Sequence, residues 1–220
     1  MAKIDQKTAI KKVSKQGLEI RNLPEEFKND ELVVLAAVEN DNYALYFASK
    51  ELKSKREFIK KVVKKFGGAL QFADETLKAD KEIAKIAVKS HWIVYNHLNE
   101  FLKNDKELLE LALDSKSRLI SNDTPLETCA LKFKDDTDIV KQAVKKWGCA
   151  IQYASDRLRN DKEIGLIAVQ DVGGALEYLS ERLKNDKEIV VAAIKNDSYA
   201  LQYASTTLQK DKDILKLVKG

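Results

Sequence analysis

The chain has 220 residues, of which 44% are apolar and 34% are charged, and its formal net charge is +4. Two prolines and eight glycines are too few for an all-β protein that turns every ten residues or so. The longest apolar run, 32–38, is far shorter than a membrane span. Two cysteines are too few for a disulfide scaffold or a thiolate zinc site. No charged and then apolar leader opens the chain, so a cytoplasmic location is expected, with delivery as an effector as an alternative.

One short segment recurs along the chain at intervals of 25 residues. Asn-Asp-Lys-Glu followed by Ile or Leu occurs at 104–108, 160–164 and 185–189. With the aspartate as a marker, repeats begin near residues 5, 30, 55, 80, 105, 136, 161 and 186, and a partial repeat begins at 211. The longer step from 105 to 136 places an insertion of six residues at about 115–123. The sequence therefore predicts a single repeat domain over 1–220.

Each repeat is predicted to form two short helices. Apolar residues recur three, four, seven and eight residues after the marker, as with Ala168 and Val169 or Ala193 and Ile194. This spacing is helical and does not alternate as a strand would. A second apolar stripe follows, and a glycine or asparagine near position 12 after the marker is expected to end the first helix. We therefore expect a helix of about ten residues, a tight turn and a second helix of similar length.

The helix starts carry a capping-box pattern, in which Asn or Ser precedes Glu by three residues. The pairs are Asn104 with Glu107, Asn160 with Glu163, Asn185 with Glu188, and Ser54 with Glu57. Thr124, Pro125 and Glu127 predict a further helix start directly after the insertion.

Helices of this length are marginal alone, and one repeat cannot cover both of its apolar stripes. Stacked repeats can cover them. The predicted fold class is therefore all-α, an α-solenoid of about eight short helical-hairpin repeats with a right-handed superhelix. Positions 7 and 8 after each marker should be buried at the seams between repeats.

The segment 183–205 begins Leu-Lys-Asn-Asp-Lys-Glu-Ile-Val and ends Tyr-Ala-Leu-Gln-Tyr-Ala-Ser. It closely resembles the repeat known as domain of unknown function 4116, and Leu23–Asp30 is similar to a variant of the same repeat boundary. The resemblance covers roughly residues 5–219 and departs from the pattern at 91–99 and 114–128. It implies an all-helical array, sometimes found in bacterial and protist proteins, and it brings no activity and no site residues.

No pattern typical of catalysis is found in the sequence. His91 and His97 do not share the helix face of an i, i+4 metal pair, and His97 occupies an aromatic position of the repeat. Cys129 and Cys149 fall at small-residue positions, where free cysteine packs as a small hydrophobe. We therefore expect no enzyme, no cofactor, no metal site and no small-molecule substrate.

An aromatic residue recurs at position 17 after the marker. These residues are Phe47, Phe72, Tyr153, Tyr178 and Tyr203. Such a row could form a ladder that stacks a partner's side chains or bases. The alternative, which we favour, is that the rings fill the seams between repeats.

Residues 50–65 carry eight basic side chains and two acidic ones. This run gives the alternative functional prediction, a nucleic-acid-binding helical repeat protein that contacts phosphates. Its candidate residues are Lys53, Arg56, Lys60, Lys61 and Lys64. A solvated helix face in a lysine-rich protein explains the same run.

The repeat pattern is broken at residues 90–97, where Trp92 replaces the usual glycine or asparagine. With the insertion in the next repeat, this break predicts an exposed patch that docks a protein partner. The candidate residues are His91, Trp92, Tyr95, Asn96, His97 and Arg118. Local repacking around a neutral surface loop is the alternative interpretation. The favoured function is a non-catalytic protein-protein interaction scaffold.

Overall fold

The computed structural model describes residues 4–115 and 123–219, which belong to two compact modules. We describe each by itself, as the N-terminal module (4–115) and the C-terminal module (123–219). Both ranges contain helices and turns and no strand, so the all-α repeat prediction is confirmed. None of their helices has the length and apolar character that a membrane span requires. Arg118 and most of the predicted insertion lie outside the described residues.

Each regular repeat contains three helical segments: a long α-helix, a 3₁₀ helix and a short α-helix. The long helices are Gln6–Lys15, Glu31–Asn40, Arg56–Lys65, Lys81–Ser90 and Lys106–Leu113 in the N-terminal module, and Thr137–Lys146, Lys162–Asp171, Lys187–Asn196 and Lys212–Lys219 in the C-terminal module. The 3₁₀ helices are Gly17–Asn22, Asn42–Phe47, Gly67–Phe72 and Trp92–His97, and then Gly148–Tyr153, Gly173–Tyr178 and Ser198–Tyr203. The short helices are Glu25–Lys28, Lys50–Ser54, Glu75–Lys78 and Glu100–Lys103, and then Pro125–Thr128, Leu131–Lys134, Asp156–Arg159, Glu181–Lys184 and Thr206–Gln209.

The prediction of a second helix of about ten residues was wrong, because two extended residues divide that segment. Ala48, for example, has φ −65° and ψ 157°. Ser49 then caps the short helix, its hydroxyl oxygen accepting the Leu52 N–H at 3.1 Å. The same hydroxyl donates to Asn29 of the preceding repeat at 2.6 Å. The serine thus starts a new helix and joins two repeats.

The predicted capping boxes were displaced by one residue, because the marker aspartate itself caps the long helix. Asp161 accepts the Ile164 N–H at 3.0 Å. The preceding Asn160, predicted to be the cap, accepts the Ser180 hydroxyl of the next repeat instead, at 2.6 Å. Ser54 is not a cap either, since Lys55 holds that position without a side-chain hydrogen bond.

The helix start after the insertion is confirmed. Thr124 is the N-cap, its hydroxyl oxygen accepts the Leu126 N–H at 3.3 Å, and Pro125 is the first helical residue.

The core lies at the seams between repeats, as predicted. Long helices pack on the long helices of neighbouring repeats, and 3₁₀ helices pack on 3₁₀ helices, within each module. Ala168, Val169 and Ala193 are fully buried, and Ile194 is nearly so. Position 7 is a buried alanine in most repeats, which lets neighbouring backbones approach closely. The prediction fails in the first and the last repeat, where Lys12 and Val218 hold position 7 and are exposed.

The long helices that have a glycine at position 12 end two residues before it, as the prediction of a helix end near position 12 requires. No glycine in the described ranges has the positive φ that often ends a helix, and the residue before it is extended, as Gln16 and Val172 are, for example. Glycine is needed because the next repeat lies too close. A Cβ on Gly173 would lie 2.5 Å from the Ala193 carbonyl oxygen, and one on Gly67 would lie 2.4 Å from that of Ala87.

These glycines also donate a backbone hydrogen bond to a polar side chain at position 10 of the next repeat. We call this pairing the glycine latch. The latches are Gly17–Asn40 (2.6 Å), Gly67–Ser90 (3.3 Å), Gly148–Asp171 (2.7 Å) and Gly173–Asn196 (2.7 Å). Close approach and hydrogen bonding together fix the register between successive repeats. The single domain over 1–220 and the superhelix handedness stay predictions.

Candidate functional site

Two exposed tyrosines form an aromatic cluster on the N-terminal module. The rings of Tyr43 and Tyr46 stack with centroids 5.4 Å apart, and both meet Phe72 of the next repeat edge-on, at 4.9 and 6.3 Å. Phe47 completes the group. The Lys53 ammonium lies 5.8 Å from the Tyr46 ring centre and donates to the Tyr46 carbonyl at 3.2 Å. Tyr43 and Tyr46 keep 44% and 54% of their surface exposed. We call this group the tyrosine cluster.

The aromatic residues at position 17 lie partly in the seams. Phe47, Phe72, Tyr153, Tyr178 and Tyr203 are all half-buried. Partial burial, and after it the charge of Glu127, raises the pKa of Tyr153 to about 12. These rings therefore contribute packing as well as surface, as the seam-filling alternative predicted.

A groove of about 410 Å³ opens beside the tyrosine cluster. Its lining residues are Asn42, Gly68, Leu70, Gln71, Glu75, Lys78, His91, Ile93, Val94, His97, Leu98 and Asn99. Leu70, Val94 and Leu98 are buried, so the floor is apolar. His91 and His97 are exposed, and neither side chain has a hydrogen bond or ion pair with the residues that the structure describes. We call this site the histidine groove.

The groove lacks a side chain that is present at the same place one repeat earlier. Tyr43, at position 13 of the repeat that begins at 30, packs on Phe72, at position 17 of the repeat that begins at 55. Gly68 occupies the same position 13 one repeat later and has no side chain to reach His97. A Cβ on Gly68 would meet only the flexible Asn42 amide, at 3.2 Å. Close packing therefore does not require a glycine here, in contrast to Gly67.

The predicted docking patch was wrong for Trp92 and Tyr95, which are buried and not exposed. Tyr95 takes the core position that leucines hold in the two preceding repeats, and its hydroxyl donates to the Lys103 carbonyl at 2.8 Å. The 3₁₀ helix that begins at Trp92 packs against Lys106–Leu113, a helix two residues shorter than the four long helices before it. A large apolar ring gains more from this seam than from solvent.

Of the remaining residues of the predicted patch, only some line the groove. Asn96 is half-buried and has a partner within the protein. Arg118 lies outside the described residues. Of the six predicted residues, His91 and His97 are therefore the two that the structure brings together at an open surface.

The basic run does not form one free cationic face. Arg56 pairs with Asp80 at 2.9 Å, and Lys60 pairs with Glu57 at 3.4 Å. Partial burial opposes ionisation of Asp80, yet the Ile83 N–H and Arg56 together lower the pKa of this carboxyl. Lys53 belongs to the tyrosine cluster. Lys61 and Lys64 are the two candidates that are exposed and form no ion pair with described residues.

The cysteines occupy packing positions. Cys129 is buried, and desolvation raises the pKa of its thiol to about 11. Cys149 is half-buried and has a contact within the protein. In the described ranges, no cluster of three or more His, Cys, Asp or Glu side chains could hold a metal ion.

Sequence reasoning missed the tyrosine cluster and the role of Gly68. The available signal was the pairing of position 13 in one repeat with position 17 in the next, which Tyr43 and Phe72 satisfy and Gly68 and His97 do not. That signal appears only when two successive repeats are compared.

The family model described as "Domain of unknown function (DUF4116)" matches the chain four times in tandem, over 5–53, 55–103, 136–178 and 166–209. The first two matches each span two consecutive repeats, and residues 104–135 lie outside all four. Comparisons with curated proteins and with solved structures gave no significant match. Because the matches cover well over half of the sequence, the chain belongs to the DUF4116 family.

Proposed function

We propose that the chain is a non-catalytic scaffold that binds a protein partner in the histidine groove and against the tyrosine cluster. The observation that carries the proposal is the gap at Gly68, which opens a groove of about 410 Å³ beside exposed aromatic rings. Pockets that enclose a small ligand or group commonly occupy about 300–1,000 Å³ and combine an apolar lining with a few polar groups. The groove matches that description.

The tyrosine cluster supports the same assignment. Tyrosine is enriched among residues that dominate binding energy at protein interfaces, because its ring buries a large area while its hydroxyl stays wet. Tyr43 and Tyr46 are held in place by Phe47 and Phe72, so little side-chain freedom would be lost when a partner covers them.

A non-catalytic role agrees with the residues of the groove. A nucleophilic mechanism needs a nucleophile within reach of a base that a third group orients. The groove lining contains no serine, threonine or cysteine. Neither histidine has a carboxylate partner among the described residues. The elevated pKa of Cys129 works against a reactive thiolate elsewhere.

Nucleic-acid binding by the 50–65 run is the second candidate, and the exposed Lys61 and Lys64 favour it. It has less support, because Arg56 and Lys60 are already paired with carboxylates. A phosphate-tracking surface needs several unpaired cations on one face. The cytoplasmic location and the bacterial source stay predictions.

Site-specific photocrosslinking in the native organism tests the proposal. Tyr43 is replaced by a photoreactive benzoylphenylalanine, and Tyr199 is replaced in the same way as the matched control. Tyr199 also holds position 13 and is 79% exposed, but it belongs to the C-terminal module. We expect a discrete protein adduct from position 43 and none from position 199.

The crosslinked products are then treated with nuclease and with protease. A partner that protease removes and nuclease leaves intact supports the protein scaffold. The same photoreactive residue is also placed at position 61 or 64. A nuclease-sensitive adduct from one of these positions, with none from position 43, would favour the nucleic-acid alternative. Equal crosslinking from positions 43 and 199 would contradict the assignment to this groove.

A further inference from the structure

The lining of the histidine groove has no unpaired negative charge. Its wall contains one carboxylate, Glu75, whose side chain is 87% exposed and pairs with Lys78 within the same short helix. This pair leaves no net charge. The remaining ionisable groups of the lining are His91 and His97. An imidazole brings no negative charge, so the lining contains no unpaired anionic group.

The groove also offers hydrogen-bond donors. The side chains of Asn42, His91 and His97 have no partner among the described residues. The Asn99 side-chain oxygen accepts the Leu102 N–H at 2.9 Å, and its amide N–H groups have no partner among the described residues. The Gln71 amide nitrogen already donates to the Gly68 carbonyl at 3.1 Å. A ligand entering here therefore meets donors on several sides.

We propose that the partner inserts an acidic side chain, Asp or Glu, into the histidine groove, with an apolar neighbour against Leu70, Val94 and Leu98. A carboxylate accepts hydrogen bonds and gives none when ionised, so it complements free amide and imidazole N–H groups. A Lys or Arg side chain would find Glu75 as the one carboxylate of the lining, and that carboxylate is already paired with Lys78. This inference rests on the proposed function and names the chemistry of its partner.

A peptide fits these surroundings better than a nucleic acid does. The apolar floor suits an aliphatic side chain next to the carboxylate. Asn42 of the lining directly precedes Tyr43, so the exposed rings of the tyrosine cluster add contact area next to the groove. A nucleic acid would need a row of fixed cations to replace released counterions, and Lys78 is the one permanently charged cation of the lining.

Selection from a random linear peptide library displayed on phage tests the inference with the full chain as bait. The selected peptides are remeasured on Gly68→Tyr, which restores the position 13 side chain and fills the groove. Gly174→Tyr is the matched control, since a Cβ there has nothing within 4 Å. His97→Tyr, which restores the usual aromatic residue of position 17, fills the same space if Gly68→Tyr fails to fold.

A double-mutant cycle tests the contact between the peptide carboxylate and the two histidines. We expect the selected peptides to be enriched in Asp or Glu. Replacing that residue by its amide should weaken binding to the parent about tenfold, because a charge-assisted hydrogen bond is lost. The same replacement should have little effect on a His91→Ala, His97→Ala double variant, since the interaction is already absent there.

The outcomes separate the inference from the proposed function. Acidic peptides that no longer bind Gly68→Tyr and still bind Gly174→Tyr support both the inference and the proposed function. Peptides that depend on Gly68 but are neutral or basic overturn the acidic-ligand inference and leave the proposed groove in place. Peptides that bind Gly68→Tyr as well as the parent, or no selected peptide at all, overturn both.

Discussion

The histidine groove of the N-terminal module has a smaller counterpart in the C-terminal module. That cleft measures about 330 Å³, against about 410 Å³ for the groove. The pair Asp156 and Arg159 lines it as Glu75 and Lys78 line the groove. At position 17, however, the cleft has Tyr178 where the groove has His97.

The second difference is at position 13, where the C-terminal module has Cys149 and the N-terminal module has Gly68. The comparison indicates that the helical frame and the proposed binding surface depend on different positions of the repeat. Glycine latches hold the frame in both modules. Positions 13 and 17 form no latch, and they are the positions at which the groove and the cleft differ.

The largest expected effect is at the irregular repeat that borders the groove. Trp92→Ala should reduce the free energy of unfolding by about 4 kcal/mol, because it leaves a cavity at a buried seam. Denaturant unfolding measures this. Tyr199→Ala, at an exposed ring, is the control and should change stability by less than about 0.5 kcal/mol. An unchanged midpoint for Trp92→Ala would contradict the buried seam.

A second variant tests the frame in the C-terminal module. Ala193→Lys should cost about 3 kcal/mol, because it overpacks a fully buried position and places a charge in the seam. A thermal unfolding midpoint equal to that of the parent would show that position 7 is not a core position.

The third prediction compares the stability effects of the two adjacent glycines in a turn. Gly67→Ala should cost about 2 kcal/mol, because the new methyl group would collide with the Ala87 carbonyl. Gly68→Ala should change stability by less than about 1 kcal/mol, since only the flexible Asn42 amide has to move. Gly173→Ala and Gly174→Ala repeat the test in the C-terminal module. Equal losses within a pair would refute the division between frame and groove positions.

The smallest expected effect concerns the ion pairs between repeats. The hydrogen bond from Lys162, opposed by partial burial, lowers the pKa of the Asp186 carboxyl. Asp186→Asn keeps the helix cap and removes the charge, so it should cost about 0.5 kcal/mol at neutral pH. Because the folded pKa is depressed, this stabilisation is present above the unfolded value near 4 and is lost as the pH falls below it.

Urea unfolding of Asp186→Asn at neutral and acidic pH measures that difference. Glu177→Gln, at an exposed carboxylate outside the ion pairs, serves as the control. A stability difference for Asp186→Asn that stays constant into the acid range would contradict a contribution from the ionised carboxylate.

The sequence was sufficient to predict the all-α repeat and its seams. Markers such as Asp161 and the apolar pairs that follow them report periodic burial directly, because core positions tolerate little variation in polarity. The division of the second helix was missed because Ser49 lies within a continuous apolar stripe, and its capping role depends on Asn29 of another repeat.

The site was less predictable, since it depends on contacts between repeats. Trp92 departs from the repeat pattern, and that departure does not reveal whether its ring points outward or into the seam. Gly68 looks like its neighbour Gly67 in sequence, and only the distances to Ala87 and Asn42 tell them apart. His91 and His97 are brought into one groove by the 3₁₀ helix between them, which the predicted hairpin did not contain.

In the proposed function, the gap at Gly68 makes the N-terminal module the recognition surface. Quantitative affinity capture from the native organism tests it most directly, with the parent, Gly68→Tyr and Gly174→Tyr as baits at equal loading. We expect Gly174→Tyr to retain the partner at the parent's level and Gly68→Tyr to retain about tenfold less of it, with both variants folded. Retention by Gly68→Tyr at the parent's level, or equal loss from both variants, would contradict the claim.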